Sequence, residues 1–581
     1  MVAVNNARGG PKEAVDETTP LRISKNDDNK VQRQSSYQSI QQSSSLSSSF
    51  TSESSESSRS DAESALLPRP DSADNGKTLT NIISVTLVLL LGEFIANADT
   101  TLLYASAGKI SSEFGSLQDA NWLSTAYGMG VFVAQPMYGK LCDIYGRKAL
   151  LLFAYSFFAV GCIVSAGGYS MWHIILGRAI SGIGGAGTLT VASVIITDLV
   201  PKRDIAAWRS YINIAMTLGR SLGGPTGGWL ADTIGWRWMF LIQAILFCLA
   251  ALLVAAKLRI ETPHHDNQAE TDPNSSSRSK LRRIDFLGIS CLTISISAGI
   301  LLLDLGGQKF PWLSIYTIIL SLSTIIFFLA FIFVEAYVAR EPIFSLRIIR
   351  QPNVAASYVV MALQIMAQVS MMFCIPLYFQ VTAHASATNA GAHLSPAVIG
   401  NAIGGLIAGA IIKRTGRYKL LIVSAGLIAS VTYTLLFFRW NGHTNVWESL
   451  YIVPGGFGTG IAGAGVFVSM TSMLEAKDVA MATSGFFFFL NLGVTGGVTA
   501  SNTVLGIQFK KQLERNLSGP GARKIIKRAT SDVHYISNLT GHLREVVIAC
   551  YVSGLKHTYI MSLCWSLLAS AVALLIKDHQ L

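Results

Sequence analysis

Gly139-Lys140-Leu141-Cys142-Asp143-Ile144-Tyr145-Gly146-Arg147-Lys148 is a short basic loop containing one acid, set between two apolar runs. Gly139 at its start leaves room for another helix to approach closely. Asp143 and Arg147 stand four apart, so they can pair with each other or with a nearby helix end. Cations collected in a loop between two apolar runs follow the positive-inside pattern, which places this loop in the cytosol.

The rest of the chain agrees with a membrane reading. Of its 581 residues, 50% are hydrophobic and 14% charged, whereas soluble proteins carry about 25% charged residues. Mean hydropathy is +0.43 despite a Ser-rich N-terminus. Apolar stretches of about 20 residues, long enough to cross a bilayer, fall near 80–104, 120–141, 148–169, 172–197, 205–230, 236–256, 285–305, 312–337, 353–380, 388–412, 418–438, 449–474, 478–504 and 557–577. The chain is therefore expected to be an all-α polytopic membrane protein with 14 transmembrane helices.

Net charge is +11, but the cations concentrate in alternate loops: Lys140/Arg147/Lys148, Lys202/Arg203, Arg282/Arg283, Arg340/Arg347/Arg350 and Lys413/Arg414/Arg417/Lys419. That is a topology signal, and it gives nucleic acid no place as a partner. Both termini are expected in the cytosol. The long loop 506–556 falls on the opposite face and carries the sequons Asn516-Leu517-Ser518 and Asn538-Leu539-Thr540, which suit a glycosylated lumenal or extracellular side. Residues 1–77 are too polar to fold, lack a secretory h-region, and hold the dileucine-like Glu63-Ser64-Ala65-Leu66-Leu67. Seven cysteines show no paired or metal-type spacing, so neither a disulfide framework nor a metal site is expected.

The opening loop returns later in the chain. Gly409-Ala410-Ile411-Ile412-Lys413-Arg414-Thr415-Gly416-Arg417 repeats its glycines and arginine at the same spacing, with Lys413 in place of the acid. The second loop has thus lost its local ion pair. The pattern G-x-x-x-D-x-x-G-R-K over Gly139, Asp143, Gly146, Arg147 and Lys148 resembles the signature loop of the major facilitator superfamily, where it latches two helical bundles together. The resemblance implies two pseudo-symmetric six-helix bundles (78–256 and 341–581), a cytosolic linker (257–284) and an extra helix pair (285–340).

Two Gly-rich motifs sharpen the resemblance. Gly219-Arg220-Ser221-Leu222-Gly223-Gly224-Pro225-Thr226-Gly227-Gly228 resembles the antiporter motif of this superfamily. Pro225 removes a backbone donor and bends the helix, and Gly219, Gly223, Gly224 and Gly228 let a partner helix seat against it. Gly182-Ile183-Gly184-Gly185-Ala186-Gly187 satisfies a dinucleotide pattern in form only. It lies inside an apolar span with no preceding strand, and is read as a packing face, as is Gly458-Thr459-Gly460-Ile461-Ala462-Gly463.

Ionisable groups in the membrane are costly and mark function. The first span holds Glu93, Asn97 and Asp99, and the fourth holds Arg178. Asp99 lies about five residues, ~8 Å, from the end of its span, and Arg178 about six residues, ~9 Å, inside the same face, so the two can meet. Asp99-Thr100-Thr101 and Arg178-Ala179-Ile180-Ser181-Gly182 resemble the proton-coupling motifs of fourteen-span drug:proton antiporters, with Ser181 where the family has Gln. Gln364 and Gln368 lie one turn apart in a Met-rich span and are candidates for a cavity wall, although packing explains them equally well.

Trp122-Leu123-Ser124-Thr125-Ala126-Tyr127 and Trp208-Arg209-Ser210-Tyr211 look like stretches of the fungal vacuolar basic amino acid transporters. That resemblance implies a monomer without cofactor that exchanges protons for lysine, arginine or histidine across a vacuolar membrane. Glu93, Asn97, Asp99, Gln364 and Gln368 would bind substrate, while Asp99 and Arg178 would couple protons. A multidrug exporter of the same fold in the plasma membrane and a non-transporting nutrient sensor stay open. An enzyme is not expected, because no nucleophile–base pair or phosphate loop is present.

Overall fold

A computed structural model describes residues 72–115, 122–258, 285–305, 314–339, 342, 346–383, 385, 387–442, 444–517, 522–531, 536, 539 and 541–578. The dileucine-like segment, most of the expected linker and Asn538 lie outside the described residues. Residues 73–581 form one compact unit.

The helices run, in order, α1 Ser72–Glu113, α2 Trp122–Tyr145, α3 Arg147–Ala166, α4 Met171–Leu199, α5 Ile205–Thr233, α6 Trp236–Lys257, α7 Phe286–Leu305, α8 Ile315–Phe333, α9 Pro352–Ala383, α10 Ser395–Thr415, α11 Lys419–Arg439, α12 Val453–Ser472, α13 Ala476–Asn516 and α14 Gly541–Ala573. Short helical turns lie among them at Val334–Val338, Leu346–Ile349, Ala387–Ala392, Val446–Ile452 and Ala522–Ser531. Among the described residues, 11 helices are long and apolar enough to cross a membrane. The expected count of 14 crossings is therefore not confirmed. Helices α2 and α5 fall short because they carry polar residues such as Gln135, Asn213 and Arg220, and α7 is counted over its described side chains, Phe286–Leu302.

Two boundaries differ from expectation. Helix α1 begins at Ser72, ahead of the start expected near residue 78. The expected loop 506–556 is largely helix: α13 continues to Asn516 and α14 starts at Gly541. Lys510 and Glu514 make an i,i+4 pair at 4.0 Å on this extension. A polar stretch leaves the bilayer, but nothing in its composition stops the helix.

The internal repeat appears in the packing. Helix α4 packs on α2 and α3, as α12 packs on α10 and α11, and α3 meets α6 as α11 meets α14. Between the halves, α5 packs on α10 and α13 packs on α2, the same contact made twice. Gly146 (φ 84°) and Gly416 (φ 66°) turn the chain at matching places, with left-handed backbone that a side chain would strain. Helices α7 and α8 pack on each other, and Ile319, Leu322, Ile325, Ile326 and Leu329 of α8 face outward. That outward face suits lipid.

Glycines set how near the helices come. A methyl at Gly227 would lie 2.7 Å from Leu102 Cα of α1, and Gly219 and Gly223 meet the backbone at Phe94 and Ala98. The seat for α1 is thus Gly219, Gly223 and Gly227, spaced i, i+4, i+8 on one face. Gly224 and Gly228 face open space, because they lie off that stripe, and Pro225 is exposed beside them. Helix α13 repeats the arrangement on α9, where Gly493 and Gly497 would bring a methyl to 2.6 Å from Ala362 O and 2.7 Å from Met366 O. Gly182, Gly184, Gly458 and Gly460 abut the backbones of neighbouring helices, a packing role.

Candidate functional site

The end of the bundle bearing Arg147, Lys202 and Lys413, called the basic end here, is closed by two seams between the halves. Along the first, α5 and α10 meet in steps of three residues against four. Asp204 Oδ1 lies 3.0 Å from Lys413 Nζ, Gly409 meets Ala207, 2.8 Å from its Cα to a methyl placed on the glycine, Ser210 Oγ donates to Gly405 O at 2.6 Å, and Asn213 donates to Asn401. Glycine at 409 permits this approach, because a larger residue there would press on the α5 backbone at Ala206 and Ala207 and hold the helices apart.

The second seam joins α2 to α13. A methyl on Gly139 would lie 2.7 Å from Ala480 O and Met481 Cα. Above it, Phe132 and Phe488 meet edge to face at 6.2 Å, and Asn491 Nδ2 donates to Gln135 Oε1 at 3.3 Å. The signature loop beside this seam makes both kinds of pair that its spacing allows, one local and one to a neighbouring helix end. Arg147 stands 3.8 Å from Asp143 but 3.1 Å from Asp198 at the end of α4, and Lys148 donates to Ala255 O at 2.8 Å. Arg147 is closer to Asp198 because α4 ends beside the loop. Burial pushes the Asp143 carboxyl up to about 6, against the opposing pull of Arg147 and Lys140.

Past Asn213 and Asn401 the two halves part around a cavity of about 120 Å³. Arg209, Asn213, Met216, Thr217 and Arg220 line it from α5, recurring at i, i+4, i+7, i+8 and i+11 on one face. Gln368 of α9, Asn401 of α10, Thr459 of α12 and Phe487 of α13 stand on the wall from the other half. Thr459 Oγ1 donates to Gln368 Oε1 at 3.1 Å, and Gln364 Nε2 reaches Thr459 Oγ1 at 3.4 Å. Gln364 is buried behind the wall, so only one of the two glutamines is on the cavity.

The expected meeting of Asp99 and Arg178 is present. Nη1 of Arg178 lies 2.9 and 2.8 Å from the two Asp99 oxygens, both side chains almost wholly buried. The guanidinium lies 4.6 Å from the Tyr127 ring centre, a cation–π contact that helps to hold a charge away from water. This pair sits within the first half and is not on the cavity wall.

Glu93 is fully buried, and neither carboxyl oxygen has a hydrogen-bond partner among the described residues. It too lies off the wall; the cations that act on it are Arg209 and Arg220 of α5. Tyr155 packs against the backbone at Gly92 beside it, and its hydroxyl is also unpartnered. Asn97 donates to Glu93 O at 2.8 Å and accepts from Arg220 Nε at 3.0 Å, which connects α1 to the cavity. Arg220 was legible in the sequence as a cation within its span, whereas Arg209 is the site residue the sequence reading passed over. Their spacing of 11, three helical turns on one face, was the available signal.

The Major Facilitator Superfamily profile matches residues 89–498. The chain is 31% identical over 558 residues to the vacuolar membrane amino acid uptake transporter fnx2 of Schizosaccharomyces pombe, covering 94% of both chains. It is 29% identical to the multidrug resistance protein fnx1 of the same organism, covering 86% of this chain and 93% of that one. It is 28% identical to the vacuolar basic amino acid transporter 2 of Saccharomyces cerevisiae, covering 79% of this chain and 98% of that one. Two repeated bundles, a cavity between them, a signature loop at the closed end and these matches together place the chain in the Major Facilitator Superfamily.

Proposed function

We propose that the protein is a proton-coupled antiporter that carries basic amino acids from the cytosol into the vacuole by alternating access, with both termini cytosolic. The observation that carries this reading is Glu93: a membrane-buried carboxyl with no hydrogen-bond partner, next to the arginines of a cavity between two repeated halves. An unpaired charge at that depth costs several kcal/mol, so the carboxyl suits a group that gains and loses a proton during the cycle. Asp99 is the second exchangeable acid, and Arg178 compensates its charge when it is ionised.

In this reading the basic end faces the cytosol, so the seams close the cytosolic side and the cavity belongs to the lumen-directed state. Protons from the acidic lumen neutralise Glu93 and Asp99, substrate leaves, and rocking of the halves reopens the cytosolic side. Relatives named for vacuolar amino acid uptake and basic amino acid transport support the choice of substrate and membrane. Export of drugs is the second reading, favoured by the relative named for multidrug resistance. The test is uptake of labelled lysine, arginine and histidine into sealed vesicles with and without an imposed pH gradient. Gradient-driven uptake is expected, and its absence for all three would overturn the reading.

A further inference from the structure

The charges on the cavity wall raise a question that proton coupling does not answer. Among the described residues, the wall holds two arginines and neither Asp nor Glu. Arg209 stands near the closed end, in line with the Ser210–Gly405 contact that seals it. Its side chain is buried, Nη1 donates to Ser193 Oγ at 2.7 Å, and Nε has no hydrogen-bond partner among the described residues. The guanidinium carbon lies 4.4 Å from the Phe467 ring centre and 5.2 Å from that of Phe487. The cation is thus fixed between aromatic rings of the opposite half, with one hydroxyl partner and no carboxylate hydrogen-bonded to it.

The acids of α1 do not meet this need. Asp99 is committed to Arg178, and neither oxygen of Glu93 hydrogen-bonds to anything. A buried guanidinium with donors left over is unfavourable unless an anion completes it, and its planar fork matches a carboxylate. Arg220, about 16 Å further along α5, places a second cation on the same wall and is steadied by Asn97.

We propose that the cavity selects its cargo by a carboxylate, with Arg209 as the residue that binds it and Arg220 as the cation that draws it in. The ammonium groups of the same cargo would then lie toward the oxygens of Gln368, Asn401 and Thr459 on the facing wall. A purely cationic molecule meets two positive side chains and no counter-charge on the wall. Amino acids are therefore accepted and organic cations without a carboxylate are not. The inference depends on the antiport reading only for the choice of amino acids as probes.

The test measures binding of three matched pairs to the purified full-length protein by calorimetry, without any pH gradient: lysine and cadaverine, arginine and agmatine, histidine and histamine. Each pair shares a side-chain cation and differs in the carboxylate. We expect at least one amino acid to bind at least tenfold tighter than its amine. Arg209→Gln should remove most of that preference, Arg209→Lys should restore part of it, and Arg220→Gln should weaken binding less. Equal binding within the pairs overturns the proposal, as does failure of all three amino acids to bind. An unchanged preference in a folded Arg209→Gln protein also overturns it. If Arg209→Gln does not fold, the wild-type pairs still decide. Carboxylate-selective binding without gradient-driven uptake would remove the antiport reading and leave this one standing, whereas gradient-driven uptake of amines and amino acids alike would do the reverse.

Discussion

Lys413 occupies the position that matches Asp143 in the repeat, and it reaches across the molecule to Asp204, 3.0 Å away. The second signature loop lost its local acid and acquired a partner in the other half. The two matching loops therefore do different work: the first ties α2 to α4 within one bundle, and the second ties α10 to α5 between bundles.

Reversing that pair should loosen the closed end without unfolding the protein. Both groups are partly exposed, so the pair contributes about 0–1 kcal/mol. Lys413→Glu is expected to raise labelling of a cysteine introduced at Thr217 from the basic side by up to about fivefold, and Asp204→Lys combined with Lys413→Glu should reverse the change. No rescue by the double variant would show that the pair does not set the closed state.

The Asp99–Arg178 pair can be separated into glue and chemistry. Asp99→Asn strands a buried guanidinium, and we expect a loss of about 3–5 kcal/mol in stability, seen as a lower melting temperature and poor expression. Combining it with Arg178→Gln should recover much of the folding. If the double variant also regains gradient-driven uptake, the pair is only structural.

Glu93→Gln keeps the shape of a side chain that has no hydrogen-bond partner to lose. Its melting temperature should stay close to wild type while gradient-driven uptake falls at least tenfold. Normal uptake by the variant would falsify the assignment of a proton to Glu93.

The loop carboxyl Asp143 links the closed end to pH. Burial, with the carboxylates of Asp198 and of Asp478 on α13 adding to it, raises its pKa to about 6, whereas parting of α2 from α13 would remove Asp478, admit water and return it toward the ordinary range near 4. The closed state therefore binds its proton more tightly, gains as pH falls through about 6, and loses that advantage above it. Labelling at Thr217 from the basic side should decrease as pH drops from 7.5 to about 5.5. Asp143→Asn should flatten that dependence and leave labelling low throughout.

Glycosylation tests the orientation. Asn516 is exposed at the end of α13, on the face opposite the basic end. Removal of N-glycans is expected to shift the wild-type band on a gel, and Asn516→Gln should reduce that shift. Modification instead at Asn274, in the sequon Asn274-Ser275-Ser276 of the linker expected in the cytosol, would invert the assigned topology.

Much of this protein was legible from the order of its residues. The composition identified a membrane chain, the spacing of apolar runs located its helices, and the loop 139–148 with its echo at 409–417 exposed a duplicated fold. Depth along two helices even paired Asp99 with Arg178, because rise per residue is constant and both spans start from the same kind of boundary. Neighbours across the gap between halves were a different matter. Periodicity gives a residue's position along and around its own helix, but it does not say which distant helix faces it. Only the packed structure could place Gly227 rather than Gly224 against α1, join Lys413 to Asp204, hold Glu93 behind the wall, and bring Arg209 between Phe467 and Phe487 at the end of the cavity. Those contacts depend on how closely glycines let backbones approach, a property of two surfaces together.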